Sequence, residues 1–149
     1  LIQEKSNIAS SLYKDGIKFI EGFQDFHKKV LEHNLKTGIA TNADDRTLII
    51  TNETLKLDTF FGKHIYNITC VNNVCKPDPA VYLHAAEQLE IEPQFCIAIE
   101  DSAHGVKAAK SAGMLCIGIN THGKPEQIKE SDIKVNRFSE IDLKKILKK

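Results

Sequence analysis

Glu100 and Asp101 stand side by side at the end of an apolar run, Cys96-Ile97-Ala98-Ile99. Neighbouring carboxylates at the edge of a low-dielectric interior are costly to ionise together without a cation. Hard oxygen donors of this kind, beside phosphate chemistry, favour Mg²⁺ over softer metals. Two further clusters could supply the phosphate site. Thr41-Asn42-Ala43 offers a hydroxyl and, at a helix start, the backbone N–H groups of Asn42 and Ala43, a natural cradle for phosphate oxygens. Lys76 offers a compact cation that neutralises and orients phosphoryl charge. A metal held by Glu100 and Asp101 could then bridge that phosphate and offset charge developing in a transition state.

Each cluster alone has a plainer explanation. A Glu-Asp pair that starts a helix is favoured by the helix dipole by roughly 0.3–1 kcal/mol and is common. Thr41-Asn42 alone is a helix-capping turn, and Lys76 alone is a surface lysine. Their order joins them, since each follows an apolar strand or opens a helix. The histidines at 27, 33, 64, 84, 104 and 122 lack ligand spacing and read as structural or exposed. His104 neighbours the acidic pair and is assigned to solvent.

The elements that must position these groups follow from periodicity. Phe95 to Asn120 predicts a strand-helix-strand unit. The short apolar run before Glu100 is a buried strand, and Ser102 caps a helix carrying Val106, Ala109 and Ala112. Gly113 ends that helix, and Leu115–Ile119 forms the next strand. Ligands of open α/β sheets bind at the carboxyl ends of such strands. Upstream, Leu1–Asp15 predicts one amphipathic helix, and Phe23–Asn34 another with Phe23, Phe26, Val30 and Leu31 inward. A short strand over Lys36–Ala40 ends at Thr41. Asp44 then caps a helix with Leu48, Ile49 and Leu55 on its apolar side, and Phe60-Phe61-Gly62 makes a turn.

His64–Cys70 is expected as an edge-like strand and Asn72-Asn73 as a loop. Asp78 with Pro79 opens a helix that buries Tyr82, Ala85, Ala86 and Leu89. The tail predicts a short helix near Gln127 and a strand over Ile133–Phe138. Ser139 and Asp142 resemble a capping box for a last helix. Alternating helices and strands argue for an α/β fold, a Rossmann-like parallel sheet with flanking helices and right-handed crossovers.

The bulk properties bound the function. At 149 residues the prior is one domain with a real core. A formal net charge of zero gives no basic excess for nucleic acid or an anionic membrane surface. No apolar run approaches the roughly 20 residues of a membrane span, and the polar N-terminus does not read as a signal peptide. Cys70, Cys75, Cys96 and Cys116 include no C-x-x-C pair, and they read as reduced small hydrophobes of a cytoplasmic protein.

The motifs together resemble the haloacid dehalogenase-like superfamily, in the branch containing β-phosphoglucomutase and small-molecule phosphatases. The matching stretches are Gly38-Ile39-Ala40-Thr41-Asn42-Ala43, Lys76-Pro77-Asp78-Pro79 and Ile99-Glu100-Asp101-Ser102-x-x-Gly105-Val106-x-Ala108-Ala109-x-x-Ala112-Gly113-Met114. The resemblance covers Ile17 to about Ile119. The resemblance implies Mg²⁺-dependent phosphoryl transfer through an aspartyl-phosphate. It casts Thr41 and Lys76 as catalytic groups, Thr41, Asn42, Ala43 and Lys76 as the phosphate site, and Glu100 and Asp101 as metal ligands. Screening of this kind lets an anionic carboxylate approach an anionic phosphate.

The chain departs from the family at the nucleophile, the first Asp of an Asp-x-Asp motif on the opening strand. No Asp-x-Asp occurs in these 149 residues. Residues 1–16 are expected to be the end of a helical cap, and 17–149 an α/β phosphotransfer core lacking its first strand. The missing strand should lie between those ending at Thr41 and Asp101. Left empty, that slot exposes buried N–H and C=O groups, each costing about 1–3 kcal/mol. The expectation is a fragment, inactive alone, of a phosphatase acting on small phosphorylated metabolites such as sugar phosphates. Its missing N-terminal segment would then be a partner. The alternatives are a β-phosphoglucomutase-like mutase, or a non-catalytic phosphate-binding remnant. A phospho-acceptor receiver domain also combines acids, Thr and Lys, but its acidic pair comes first in the chain and here it comes last.

Overall fold

Alternation along each strand sends successive side chains to opposite faces of a sheet, and here the two faces bury different residue types. A computed structural model describes residues 18–148 and the backbone of Ile2–Gln3. The strands are β1 (Ile2–Gln3), β2 (Gly38–Ala40), β3 (Ile65–Tyr66), β4 (Ile97–Glu100), β5 (Leu115–Ile119) and β6 (Ile133–Val135). They form one sheet in the order β3-β2-β1-β4-β5-β6, and every pairing is parallel. On one face Ala40, Ala98 and Cys116 meet the helices Ala80–Leu89 and Ala103–Ser111 through Ala85, Ala86, Ala108 and Ala109. On the other face Ile39, Ile99 and Ile117 pack against Phe23, Phe26, Phe61 and Phe138.

The slot between β2 and β4 is where the sequence reading diverges most. Ile2 pairs with Gly38 and Ala98, and Gln3 with Ile39 and Ile99. The helix expected over Leu1–Asp15 therefore gives way to a strand at its start. The reason is the open slot itself, because pairing on both sides satisfies buried backbone groups that an amphipathic helix would leave orphaned. The slot expected to be empty is filled in this structure by these two residues of the chain. Residues 4–17, and with them the rest of the expected cap segment, lie outside the described residues.

Smaller differences have local causes. The helix Phe23–Glu32 buries His27 with Phe23, Phe26 and Val30, whereas Leu31 is exposed. The helix after Asp44 breaks at Lys56, which takes a left-handed φ of 54°, and a second helix, Leu57–Phe61, replaces the expected turn. Only Ile65–Tyr66 of His64–Cys70 is strand, at the sheet edge as expected, and Ile68–Val71 is a 3₁₀ turn. The segment near Gln127 is likewise 3₁₀, and the last strand stops at Val135. Asp142 caps the C-terminal helix directly, accepting from the Lys145 N–H. Among the described residues no helix is long and apolar enough to cross a membrane. The four cysteines are free thiols, Cys96 and Cys116 buried and Cys70 and Cys75 exposed.

Candidate active site

The parallel order brings the carboxyl ends of β2 and β4 to one edge of the sheet, one strand apart. β2 delivers Thr41, which is buried, and whose Oγ1 accepts the Ala43 N–H at 3.1 Å. Asp44 then caps the helix Asp45–Leu55 by accepting the Thr47 N–H, so the turn over Thr41-Asn42-Ala43 is fixed at both ends. The Asn42 side chain faces the next cluster, its Oδ1 accepting the Lys76 backbone N–H at 2.9 Å. The cradle expected from backbone N–H groups is thus already tied locally through Ala43.

Lys76 is set by a short loop ahead of the helix Ala80–Leu89, where Asp78 Oδ1 accepts the Ala80 N–H. The helix begins one residue later than its Asp-Pro signal predicts, with Pro79 in the cap position. The fold brings Lys76 to the same sheet edge as Thr41 and Glu100, and it is not a surface residue. It is 5% exposed, and its Nζ donates to the Ala40 carbonyl at 2.9 Å and to Glu100 Oε1 at 2.7 Å. The Tyr82 hydroxyl donates to the same Glu100 oxygen, and Lys76 Nζ lies 4.3 Å from the Tyr82 ring centroid.

β4 ends in Glu100, whose carboxylate sits against Gly105 in the first turn of the helix Ala103–Ser111. Ser102 caps that helix by accepting the Gly105 N–H, as the sequence predicts. Asp101, the next residue, accepts at Oδ2 from the Thr121 hydroxyl at 3.2 Å and from His122 Nε2 at 3.0 Å. The loop after β5 therefore reaches the end of β4. Sequence reading missed both His122 and Tyr82. His104, the nearer histidine in sequence, is exposed as expected.

Burial dominates the electrostatics. It pulls the Lys76 ammonium below its ordinary value, while Glu100 opposes that shift. Burial likewise pushes the Glu100 carboxyl up against the opposing pull of Lys76 and Tyr82. The Tyr82 phenol is raised well above its ordinary value, by burial first and by Glu100 second. Cys116, on the neighbouring strand, is pushed up to about 12 by burial and then by Glu100, so it stays a thiol. With two donors on one oxygen of Glu100, the lysine-carboxylate ion pair is the arrangement best satisfied here.

One observation tests whether a cation suits this edge. Glu100 Oε2 is buried and has no hydrogen-bond partner among the described residues. An orphaned buried carboxylate oxygen needs a proton or a cation, and an adjacent Asp101 suits a hard divalent ion. Among the described residues no three His, Cys, Asp or Glu side chains gather as a complete ligand group. Glu100 and Asp101 therefore fit as part of a metal site.

The model of haloacid dehalogenase-like hydrolases matches residues 2–119. The chain belongs to that family. A phosphorylated carbohydrates phosphatase of Thermotoga maritima is 31% identical over 112 residues, covering 75% of this chain and 49% of that protein. Beta-phosphoglucomutase of Bacillus subtilis is 33% identical over 110 residues, covering 74% of this chain and 46% of the enzyme. The chain of this haloacid dehalogenase-like protein spans about half the length of those two curated relatives. Among solved structures, a haloacid dehalogenase family hydrolase of Deinococcus radiodurans with bound phosphate and sodium superposes with a TM-score of 0.74 at 26% identity. That match covers 81% of this chain and 56% of the other. Beta-phosphoglucomutase of Clostridium difficile gives 0.74 at 25% identity, covering 87% and 55%. The Rossmann-like parallel sheet with flanking helices is thus the fold of the family.

Proposed function

We propose that this chain is the greater part of the phosphotransfer core of a Mg²⁺-dependent phosphatase for small phosphorylated metabolites, sugar phosphates among them. The buried Lys76–Glu100 pair, tied by Asn42 to the Thr41 turn, carries this reading. Phosphatase and phosphoglucomutase relatives support it. Thr41 and Asn42, with the Ala43 backbone, would hold the phosphoryl oxygens. Lys76 would balance phosphoryl charge together with that of an aspartate nucleophile outside these 149 residues. Attack by that carboxylate on phosphorus would expel the alcohol, and water would then release phosphate from the acyl phosphate. Glu100 and Asp101 would hold Mg²⁺, which when bound offsets charge on the transferring group. We further propose a cytoplasmic, dissolved substrate, no nucleic-acid or membrane partner, and an upstream segment of the same protein completing the site.

Hydrolysis of p-nitrophenyl phosphate by the full-length protein and by these 149 residues tests the reading. Mg²⁺-dependent, EDTA-sensitive activity in the full-length protein alone supports it. No activity in either would leave a non-catalytic phosphate-binding domain. Similarity to beta-phosphoglucomutase favours a second reading, phosphosugar transfer in place of hydrolysis. Free phosphate as product distinguishes the first from an isomerised sugar phosphate.

A further inference from the structure

Tyr82 lies among apolar residues on the inward face of its helix, yet carries a hydroxyl. Its helix buries Val81, Tyr82, Ala85, Ala86 and Leu89, and Tyr82 itself has no exposed surface. A buried phenol needs a partner for its hydroxyl, and Tyr82 finds it in Glu100 Oε1. That oxygen also takes the Lys76 ammonium. The other oxygen, Oε2, is left without a protein donor among the described residues. Two donors converging on one oxygen fix how the carboxylate is rotated, and so decide which oxygen remains for a ligand. The Tyr82 ring also lies beneath the ammonium, 4.3 Å from its centroid to Nζ, which holds Lys76 over the same spot.

We propose that Tyr82 is a positioning residue of the active site, its hydroxyl holding Glu100 so that Oε2 is presented to the divalent cation. This rests on the Mg²⁺-phosphatase reading, and it assigns a role to a side chain that the periodicity gives only as core. Partners behind a metal ligand typically set affinity by about 10–100-fold. Tyr82→Phe keeps the ring beneath Lys76 and deletes only the hydroxyl, so its effect isolates the hydrogen bond.

The test is a Mg²⁺ titration of the full-length protein by calorimetry, for the native protein, Y82F, E100Q and Y82F/E100Q, with metal-free Tm measured for each. Y82F is expected to weaken Mg²⁺ binding about tenfold. In the E100Q background Y82F should add nothing, because the hydroxyl acts through the carboxylate. Metal-free Tm separates a folding defect in Y82F from weakened binding, and the comparison of E100Q with Y82F/E100Q exposes any effect of the hydroxyl that bypasses the carboxylate. A further loss there, or native affinity in Y82F while E100Q is weakened, overturns the role of Tyr82 and leaves the phosphatase reading standing. Native protein that binds no Mg²⁺, or E100Q that binds like native, overturns the phosphatase reading itself, and this proposal with it.

Discussion

Lys76 Nζ lies 2.7 Å from Glu100 Oε1 across 24 positions of sequence, and neither side chain is open to solvent. Buried pairs of this kind contribute little net stability, because desolvation offsets most of the attraction. What they do is fix geometry, and here they tie the loop after β3 to the end of β4. That enclosed pair stands at the carboxyl ends of β2 and β4, where the proposed phosphate site would use it.

Removing one partner should be far more damaging than the pair is stabilising. Lys76→Met leaves Glu100 charged, buried and short of its strongest donor, and should cost about 3–5 kcal/mol in urea unfolding. K76M/E100L, which removes both charges, should recover much of that loss. A single variant within about 1 kcal/mol of native would show that the carboxylate is solvated or protonated without the lysine.

Gly105 reverses the usual rule for helices. Alanine in a helix is ordinarily about 1 kcal/mol better than glycine. At Gly105, however, a Cβ would fall inside the van der Waals envelope of the Glu100 carboxylate, which two donors hold in place. We expect Gly105→Ala to destabilise by about 1–3 kcal/mol and to weaken Mg²⁺ binding together with stability. A stabilised variant, by chemical denaturation, would mean that Glu100 moves freely.

Away from the site, His27 should make stability depend on pH. Its Nε2 lies 3.2 Å from Thr37 Oγ1, inside a cage of Phe23, Phe60 and Phe61. Burial holds its imidazole below the ordinary value of 6.5, against a backbone hydrogen bond at Phe60 that raises it. The unfolded chain therefore takes up a proton that the folded chain resists. Stability is retained above 6.5 and falls as pH drops through 6.5 toward the folded value. His27→Gln should lose less between about pH 7 and about pH 5.5 than native does, read from urea midpoints. Equal losses would contradict a neutral buried His27.

The Thr41 hydroxyl should matter to rate more than to folding. It caps its own turn through Ala43 and sits at the end of β2 beside Lys76's carbonyl partner, Ala40. In the full-length protein Thr41→Val should lower kcat by about 100-fold, in the range found when one oxyanion donor is removed, while Thr41→Ser stays near native. Phosphatase kinetics check this, and equal rates for T41V and T41S would remove Thr41 from the phosphate site.

Much of this was legible because the signals were local. Ser102, Gly113 and the apolar runs around them fix the β4-helix-β5 unit within a few residues, and that unit carries the acidic pair. What stayed hidden depends on distant chain. Ile2–Gln3 becomes strand only because β2 and β4 flank an open slot. His27 is buried because the stripe through Phe23, Phe26 and Val30 passes over it whatever its polarity. Tyr82 looks like core until Glu100 is brought against it. His122 meets Asp101 from 21 residues away, across adjacent parallel strands.

The most direct measurement is a crystal structure of the full-length protein grown with Mg²⁺ and orthovanadate. We expect vanadate bound by the Thr41-Asn42-Ala43 turn and Lys76, with the metal on Glu100 Oε2 and Asp101. Vanadate absent from that edge at saturating concentration, or a metal seated away from both carboxylates, would contradict the convergence on which the functional reading stands.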